Sequence, residues 1–177
     1  MFKINVMGNI TTKTGDSGKT SLFGGDRVSK ASSFIELLGE IDELQAAVGL
    51  VKCLAKSLEK AGDMYETLER IQNDLYRMMG VVGFKGKCPS SIKNITEEDV
   101  DFLEATMKSH EEKYKDLMKF ILPGTTEIAA RLNMARAVCR RAERRMVACE
   151  SMDGGEMLKY LNRLSDLLFV LGYVSEK

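Results

Sequence analysis

Apolar residues recur along this chain in steps of three and four. Phe34, Leu37, Leu38, Ile41, Leu44, Val48 and Val51 form one stripe, with the period of a helix that buries one face. The pattern predicts a helix over about 33–60. A second is predicted from Asp63, a suitable N-cap, through Leu68, Ile71, Leu75, Met78 and Met79 to about 82. A third starts at Thr96, where Thr96-Glu97-Glu98-Asp99 resembles a capping box with Asp in place of Glu or Gln, and runs to about 116. Pro123-Gly124 breaks the chain before a fourth helix over about 126–152. Gly154-Gly155 precedes a fifth over about 156–174. No strand pattern of any length appears. Two Pro in 177 residues leave room for long helices. The expectation is an all-α fold: one domain over 1–177, a five-helix bundle over 33–177, and an ordered Gly-rich loop before it.

The fourth helix carries the strongest chemical signal. Between Arg131 and Arg145 six of fifteen residues are Arg, opposed only by Glu143. The same segment keeps a clean stripe through Ile128, Leu132, Ala135, Cys139, Ala142 and Met146. Arg136, Arg140, Glu143 and Val147 fall on a second line, roughly 100° round the helix. A helix that is core on one side and guanidinium on another holds fixed positive charge. Arg suits phosphate oxygens because its planar fork binds them bidentately. A solvated charged face is the plainer alternative. Two arguments weigh against it. Arg136 with Arg140, and Arg140 with Arg144, are like charges four apart. Asp42 also sits beside the buried stripe of the first helix, where a carboxylate needs a partner such as Arg on a facing helix.

Residues 11–30, TTKTGDSGKTSLFGGDRVSK, have four Gly and no helical period. Such a segment is functional or disordered, and its Leu22-Phe23 pair favours order. Gly15-Asp16-Ser17-Gly18-Lys19-Thr20 is not a P-loop, since the required first Gly is Lys13 and no buried strand precedes it. Gly, Thr and Ser nonetheless let backbone approach an anion, and Lys13, Lys19 and Lys30 add charge.

Composition narrows the classes. With 26 Lys+Arg against 26 Asp+Glu, no global field draws the chain to nucleic acid or membrane, so the Arg cluster is local. A single His, His110, argues against a His-built metal site and a Ser-His-Asp triad. The four Cys show no CxxC spacing and read as reduced core thiols. The N-terminus lacks the apolar run of a signal peptide, and Leu167–Val174 is too short to span a bilayer. A cytoplasmic location is expected.

Three blocks, Thr12-Lys13-Thr14-Gly15-Asp16-Ser17-Gly18, Leu22-Phe23-Gly24-Gly25 and Gly39-Glu40-Ile41-Asp42-Glu43-Leu44, resemble the N-terminal half of the PduO-type ATP:cob(I)alamin adenosyltransferases. Phe120-Ile121-Leu122-Pro123-Gly124, Cys139 to Arg145 and Leu161-Asn162-Arg163-Leu164-Ser165-Asp166 resemble the C-terminal half, in the same order. The chain departs from the family's usual pattern at Thr11, Thr125 and Asn133, which stand in place of Tyr, Gly and His.

The resemblance implies a homotrimer with active sites at subunit interfaces. It implies transfer of the 5′-deoxyadenosyl group of ATP to the cobalt of cob(I)alamin or another corrinoid, with triphosphate and adenosylcobalamin as products. Mg²⁺ would accompany the triphosphate, and a reductase would supply the electron. Residues 1–32 become a nucleotide-binding segment in which Thr12, Lys13, Thr14, Gly15, Thr20, Ser21 and Lys30 wrap the ATP phosphates. Arg140, Arg141, Ala142, Glu143 and Arg144 bind ATP from the neighbouring subunit, joined by Asn162. Asp42 and Arg136 form an intersubunit ion pair, and Phe120 is the apolar wedge beneath the corrin ring. The resemblance assigns no metal ligand to the chain and implies neither nucleic-acid nor membrane binding. The chemistry agrees with the residues present. Co(I) is itself the nucleophile, so no activated Ser, Cys or His is required, and the main need is positive charge at the departing triphosphate. Two other classes stay open on the residues alone: a helical nucleic-acid binder using the Arg helix, and a non-catalytic ATP- or corrinoid-binding module.

Overall fold

Each apolar stripe closes on another. The computed structural model describes residues 11, 13–56, 62–112, 122 and 124–176. Two short strands, β1 (Lys19–Ser21) and β2 (Arg27–Ser29), precede five helices: α1 (Ser33–Ala55), α2 (Gly62–Gly83), α3 (Glu97–Glu111), α4 (Glu127–Ala148) and α5 (Gly155–Val174). Packing runs in the order α2, α1, α4, α5, α3. Leu37, Ile41, Leu44 and Val48 of α1 are fully buried against one core with Leu68, Ile71 and Leu75 of α2 and Leu132, Cys139 and Ala142 of α4. Leu161, Leu164 and Leu168 of α5 complete it. Burying one such side chain is worth about 1.5–3 kcal/mol, so the stripes alone dictate which helix faces turn inward.

The ends follow local chemistry. Thr126 Oγ1 accepts the Ala129 N–H at 3.2 Å and caps α4. At α3 the Asp99 carboxylate accepts the Thr96 N–H at 3.0 Å, the reciprocal arm of the capping box. Two differences from the expected elements have physical reasons. β1 and β2 pair antiparallel, with Thr20 opposite Val28. They escape a periodicity reading because three residues are too few to show alternation. α1 is described through Ala55, and the rest of its expected span, 57–60, lies outside the described residues. α4 ends at Ala148 rather than 152, because buried Cys149 leaves helical geometry at φ −86° and ψ 66°.

A polar cluster joins α2, α3 and α5. Arg77 Nη2 donates to Asp74 Oδ1 at 2.7 Å and lies 2.9 Å from Asp99 Oδ1. Tyr160 Oη donates to Asp74 Oδ2 at 2.9 Å. The Arg70 guanidinium lies 3.7 Å from the Phe102 ring centroid and 3.6 Å from Asp99. Burial pushes the Tyr160 hydroxyl well above its ordinary pKa, and the Asp74 charge adds to it. Burial also opposes ionisation of Asp99, but the Thr96 N–H and the Arg77 guanidinium outweigh it and hold that carboxyl below the usual range. No helix among the described residues is long and apolar enough to cross a membrane.

A carboxyl held low contributes its full stability above the unfolded pKa, near ~4, and loses it as pH falls through the lowered folded value. Asp99→Asn is therefore expected to cost about 2 kcal/mol in urea unfolding at pH 7. The gap between variant and unaltered chain closes as pH is taken below about 4; a gap undiminished in acid contradicts this account of Asp99.

Candidate functional site

α4 divides its arginines by partner. Arg131 pairs with Glu127 at 2.6 Å. Arg141 donates from Nε to Glu40 at 2.5 Å and from Nη2 to Glu43. Arg145 reaches Glu36 at 3.4 Å and Glu40 at 3.9 Å. These last two stitch α4 to α1. Arg136 is half-buried, and its Nε donates to Asn133 Oδ1 at 3.3 Å. Asn133 itself donates to the Ala129 carbonyl at 3.0 Å, so the residue that stands where His is usual is fixed and aims Arg136. Arg144 donates to the Arg140 carbonyl at 3.0 Å. Among the described residues the exposed guanidiniums of Arg140 and Arg144 pair with no carboxylate.

Beside them runs a chain of alternating donors and acceptors. Asn162 Nδ2 donates to Glu143 Oε1 at 3.0 Å. Arg163 Nη1 donates to Asn162 Oδ1 at 2.8 Å, and its Nε to Glu104 at 2.6 Å. Arg can only donate and a carboxylate can only accept, so the Asn162 amide has one allowed orientation. Ala142 is buried and sets the helix against the core. Burial lifts the neighbouring Cys139 thiol far above its ordinary pKa, the Glu143 charge reinforces this, and Arg140 opposes it. Its Sγ–H donates to the Leu161 carbonyl at 3.2 Å. It is a packing residue with no nucleophilic role.

The Gly-rich segment folds back on itself. Asp16 N–H donates to the Lys13 carbonyl at 3.3 Å, and Gly18 N–H to the Gly15 carbonyl at 3.2 Å. Arg27 Nη2 ties the Thr14 carbonyl at 2.9 Å, and Lys30 N–H meets the Gly18 carbonyl at 2.9 Å. A Cβ on Gly15 would stand 3.1 Å from Lys30 Nζ, so that ammonium lies close over bare backbone. Lys13 takes a left-handed φ of 57°, uncommon for a residue with a side chain and typical of sites where function holds it. Thr20 and Ser21 lie on β1. Among the described residues Lys13, Lys19 and Lys30 form no ion pair. Thr12 lies outside the described residues.

Asp42 differs from expectation. It is exposed on α1, so the argument that it must be desolvated fails for the single chain, and it is not paired with Arg136 there. It lines a mostly apolar cavity of about 810 Å³ together with Phe23, Leu38, Tyr76, Phe84 and Ile92. Phe120, the expected apolar wedge, lies outside the described residues; Leu122 two positions on is exposed. Arg163 and Glu104 are absent from the sequence-based set. Arg163 adjoins Asn162 in its block and was findable, but Glu104 reaches the site only through packing of α3 on α5. Arg27 was equally hidden, because its partner is a backbone carbonyl thirteen residues away.

The family profile described as cobalamin adenosyltransferase matches residues 10–175. The chain belongs to that family. This cobalamin adenosyltransferase family member is 41% identical to the corrinoid adenosyltransferase PduO of Salmonella typhimurium over 92% of the chain and 48% of that protein. It is 38% identical to the corrinoid adenosyltransferase of Bacillus subtilis over 92% of the chain and 84% of that protein. The chain thus spans about half the length of the PduO relatives and most of the Bacillus one. A variant PduO-type ATP:corrinoid adenosyltransferase from Lactobacillus reuteri, complexed with cobalamin and ATP, superposes with a TM-score of 0.84 at 30% identity, covering 95% of this chain and 93% of that one.

The partner pattern on α4 separates two kinds of arginine. Arg141→Met is expected to lower Tm by about 2–4 °C, as a multi-charge clamp between helices is lost. Arg140→Met leaves Tm within about 1 °C. Differential scanning calorimetry checks both, and equal losses would contradict the division.

Proposed function

We propose that this chain transfers the 5′-deoxyadenosyl group of ATP to the cobalt of a cob(I)alamin-type corrinoid, releasing triphosphate. The observation that carries this reading is the Arg140 guanidinium, which no carboxylate meets among the described residues, beside the oriented Asn162–Glu143 pair, within a chain that matches the family almost end to end. In the reaction the Co(I) electron pair forms the Co–C5′ bond. The C5′–O bond breaks, and its pair leaves with the triphosphate. The cobalt is substrate and supplies the nucleophile, so the chain's task is electrostatic. Arg140 and Arg144 meet the negative charge that grows on the departing oxygen. Thr12, Lys13, Thr14, Gly15, Thr20, Ser21 and Lys30 enclose the polyphosphate from the other side. Glu143, held on one oxygen by Asn162, keeps the other for a hydroxyl of the nucleoside. Arg141 is committed to Glu40 and Glu43 and serves by setting the angle of α4.

The arm and the Arg face belong to different protomers of a homotrimer, with Asp42 of one pairing Arg136 of the next. Asp42's exposure at the rim of an apolar cavity, and the aim that Asn133 gives Arg136, support this. Among the described residues no group of three or more His, Cys, Asp or Glu could hold a metal. Mg²⁺ would enter as an ion carried by the phosphates, a binding mode that needs few protein ligands. Phe120 excludes water and axial donors from the lower cobalt face, which eases formation of Co(I) by a partner reductase. The enzyme works in the cytoplasm.

The test is turnover with ATP and chemically reduced cobalamin, followed as the light-sensitive adenosyl product. Product formation is expected; binding without product favours the non-catalytic module, and binding of duplex with steep salt dependence favours the nucleic-acid reading. Arg136→Ala and Asp42→Asn are each expected to lower kcat about 30-fold or more, as one charge of the interface pair is stranded. Unchanged kcat and KM in both remove that pair from the mechanism. Phe120→Ala is expected to lose more with Co(II) plus reductant than with preformed Co(I), and equal losses make it a packing residue.

A further inference from the structure

The lysines of the arm can meet a polyphosphate only if the arm stands at a fixed place on the bundle. Its described contacts with the bundle converge on the end of α2. Phe23 N–H donates to the Gly83 carbonyl at 3.1 Å. The Phe23 ring lies across Gly83, and its centroid is 5.7 Å from that of Phe84 at 48°. Lys85 Nζ binds Asp26 of the hairpin turn at 2.8 Å. Next to Phe23, Leu22 is buried.

The glycine at 83 is not explained by the helix it closes. α2 ends in a Schellman pattern, with Gly86 N–H bonded to the Val81 carbonyl and Lys85 N–H to the Val82 carbonyl, both at 2.9 Å. The left-handed position where that pattern favours glycine is Lys85, at φ 53°. Gly83 has no positive φ and sits where alanine would be the better helix former. What forbids alanine is the ring. A Cβ on Gly83 would stand 2.4 Å and 2.7 Å from two Phe23 ring carbons, closer than atoms can pack.

We propose that Gly83 is a positioning residue for the nucleotide. Its missing side chain is the seat of Phe23, and that seat sets where the polyphosphate-binding arm stands. The inference rests on the adenosyltransferase reading above. Filling the seat ejects the ring, breaks its contact with Phe84 and releases the hairpin from which Lys13–Gly18 and Lys30 are hung. A displaced arm loses its hold on the ATP polyphosphate in ground state and transition state alike, so the loss is read in KM for ATP rather than in kcat.

The test is a double-mutant cycle with Gly83→Ala, Phe23→Ala and the pair, measuring KM for ATP at saturating reduced cobalamin, kcat and Tm. Each single change is expected to raise KM for ATP about tenfold, with kcat within about twofold, and the pair is expected to be no worse than Phe23→Ala. Tm of Gly83→Ala holds or rises, since alanine strengthens the end of α2. An unchanged KM in Gly83→Ala, additive losses in the pair, or a fall in Tm matched by a fall in kcat overturns the proposal. Phe23→Ala leaves α2 intact and keeps the cycle readable if Gly83→Ala folds poorly; a normal KM there also overturns it. No turnover by the unaltered chain overturns the activity itself, whereas normal turnover with an insensitive KM overturns the seat alone.

Discussion

Repulsion among the guanidiniums of α4 is the constraint on which the rest of the structure turns. Six arginines on one helix would push each other apart unless most were neutralised. Glu127, Glu36, Glu40 and Glu43 neutralise three of them. Arg136 and Arg144 each give one hydrogen bond to a neutral oxygen. Among the described residues the charge that no carboxylate meets stays on Arg136, Arg140 and Arg144. The pairs to Glu36, Glu40 and Glu43 also fix α4 to α1, so the surviving charge stands on a rigid element. A site built this way is preorganised: the cost of assembling the charge is met in folding and not during the reaction.

The arm obeys the opposite logic. It has little secondary structure, and three residues per strand cannot hold it in place. It is held by docking, through Phe23 on Gly83 and Asp26 on Lys85. In the proposed assembly, rigid charge on one protomer and a docked, glycine-rich cradle on the next form the clamp for a polyphosphate. Asp42 and the apolar cavity lie next to the dock, since Phe23 lines both. The apolar cavity and the docked arm therefore share one aromatic ring.

Much of this was legible in the order of residues. All five helices follow from the apolar stripes, and the capping box at Thr96 from its spacing, with Asp99 accepting as Glu would. The Arg face of α4 was visible, but its internal division was not. Arg141 looks like Arg140 until Glu40 and Glu43 are placed opposite it, and that is a fact of helix packing. Asp42 stands beside the buried stripe of Ile41 and Leu44, where a carboxylate is expected to need a partner, yet one residue's step of 100° carries it to the surface of the single chain. Gly83 carried no signal, because an isolated glycine at a helix end reads as a terminator. The reason for it, an aromatic ring sixty residues earlier, exists only in three dimensions.

The central claim is that each site joins the Arg face of one protomer to the arm of another. Co-assembly of two inactive variants tests it most directly. One carries Arg140→Ala with Arg144→Ala, the other Lys13→Ala with Lys30→Ala. Random mixing of the two in a closed ring is expected to restore roughly a quarter of the unaltered turnover, because one interface in four pairs an intact face with an intact arm. Mixed assemblies as inactive as either parent would place both elements in one chain and contradict the account.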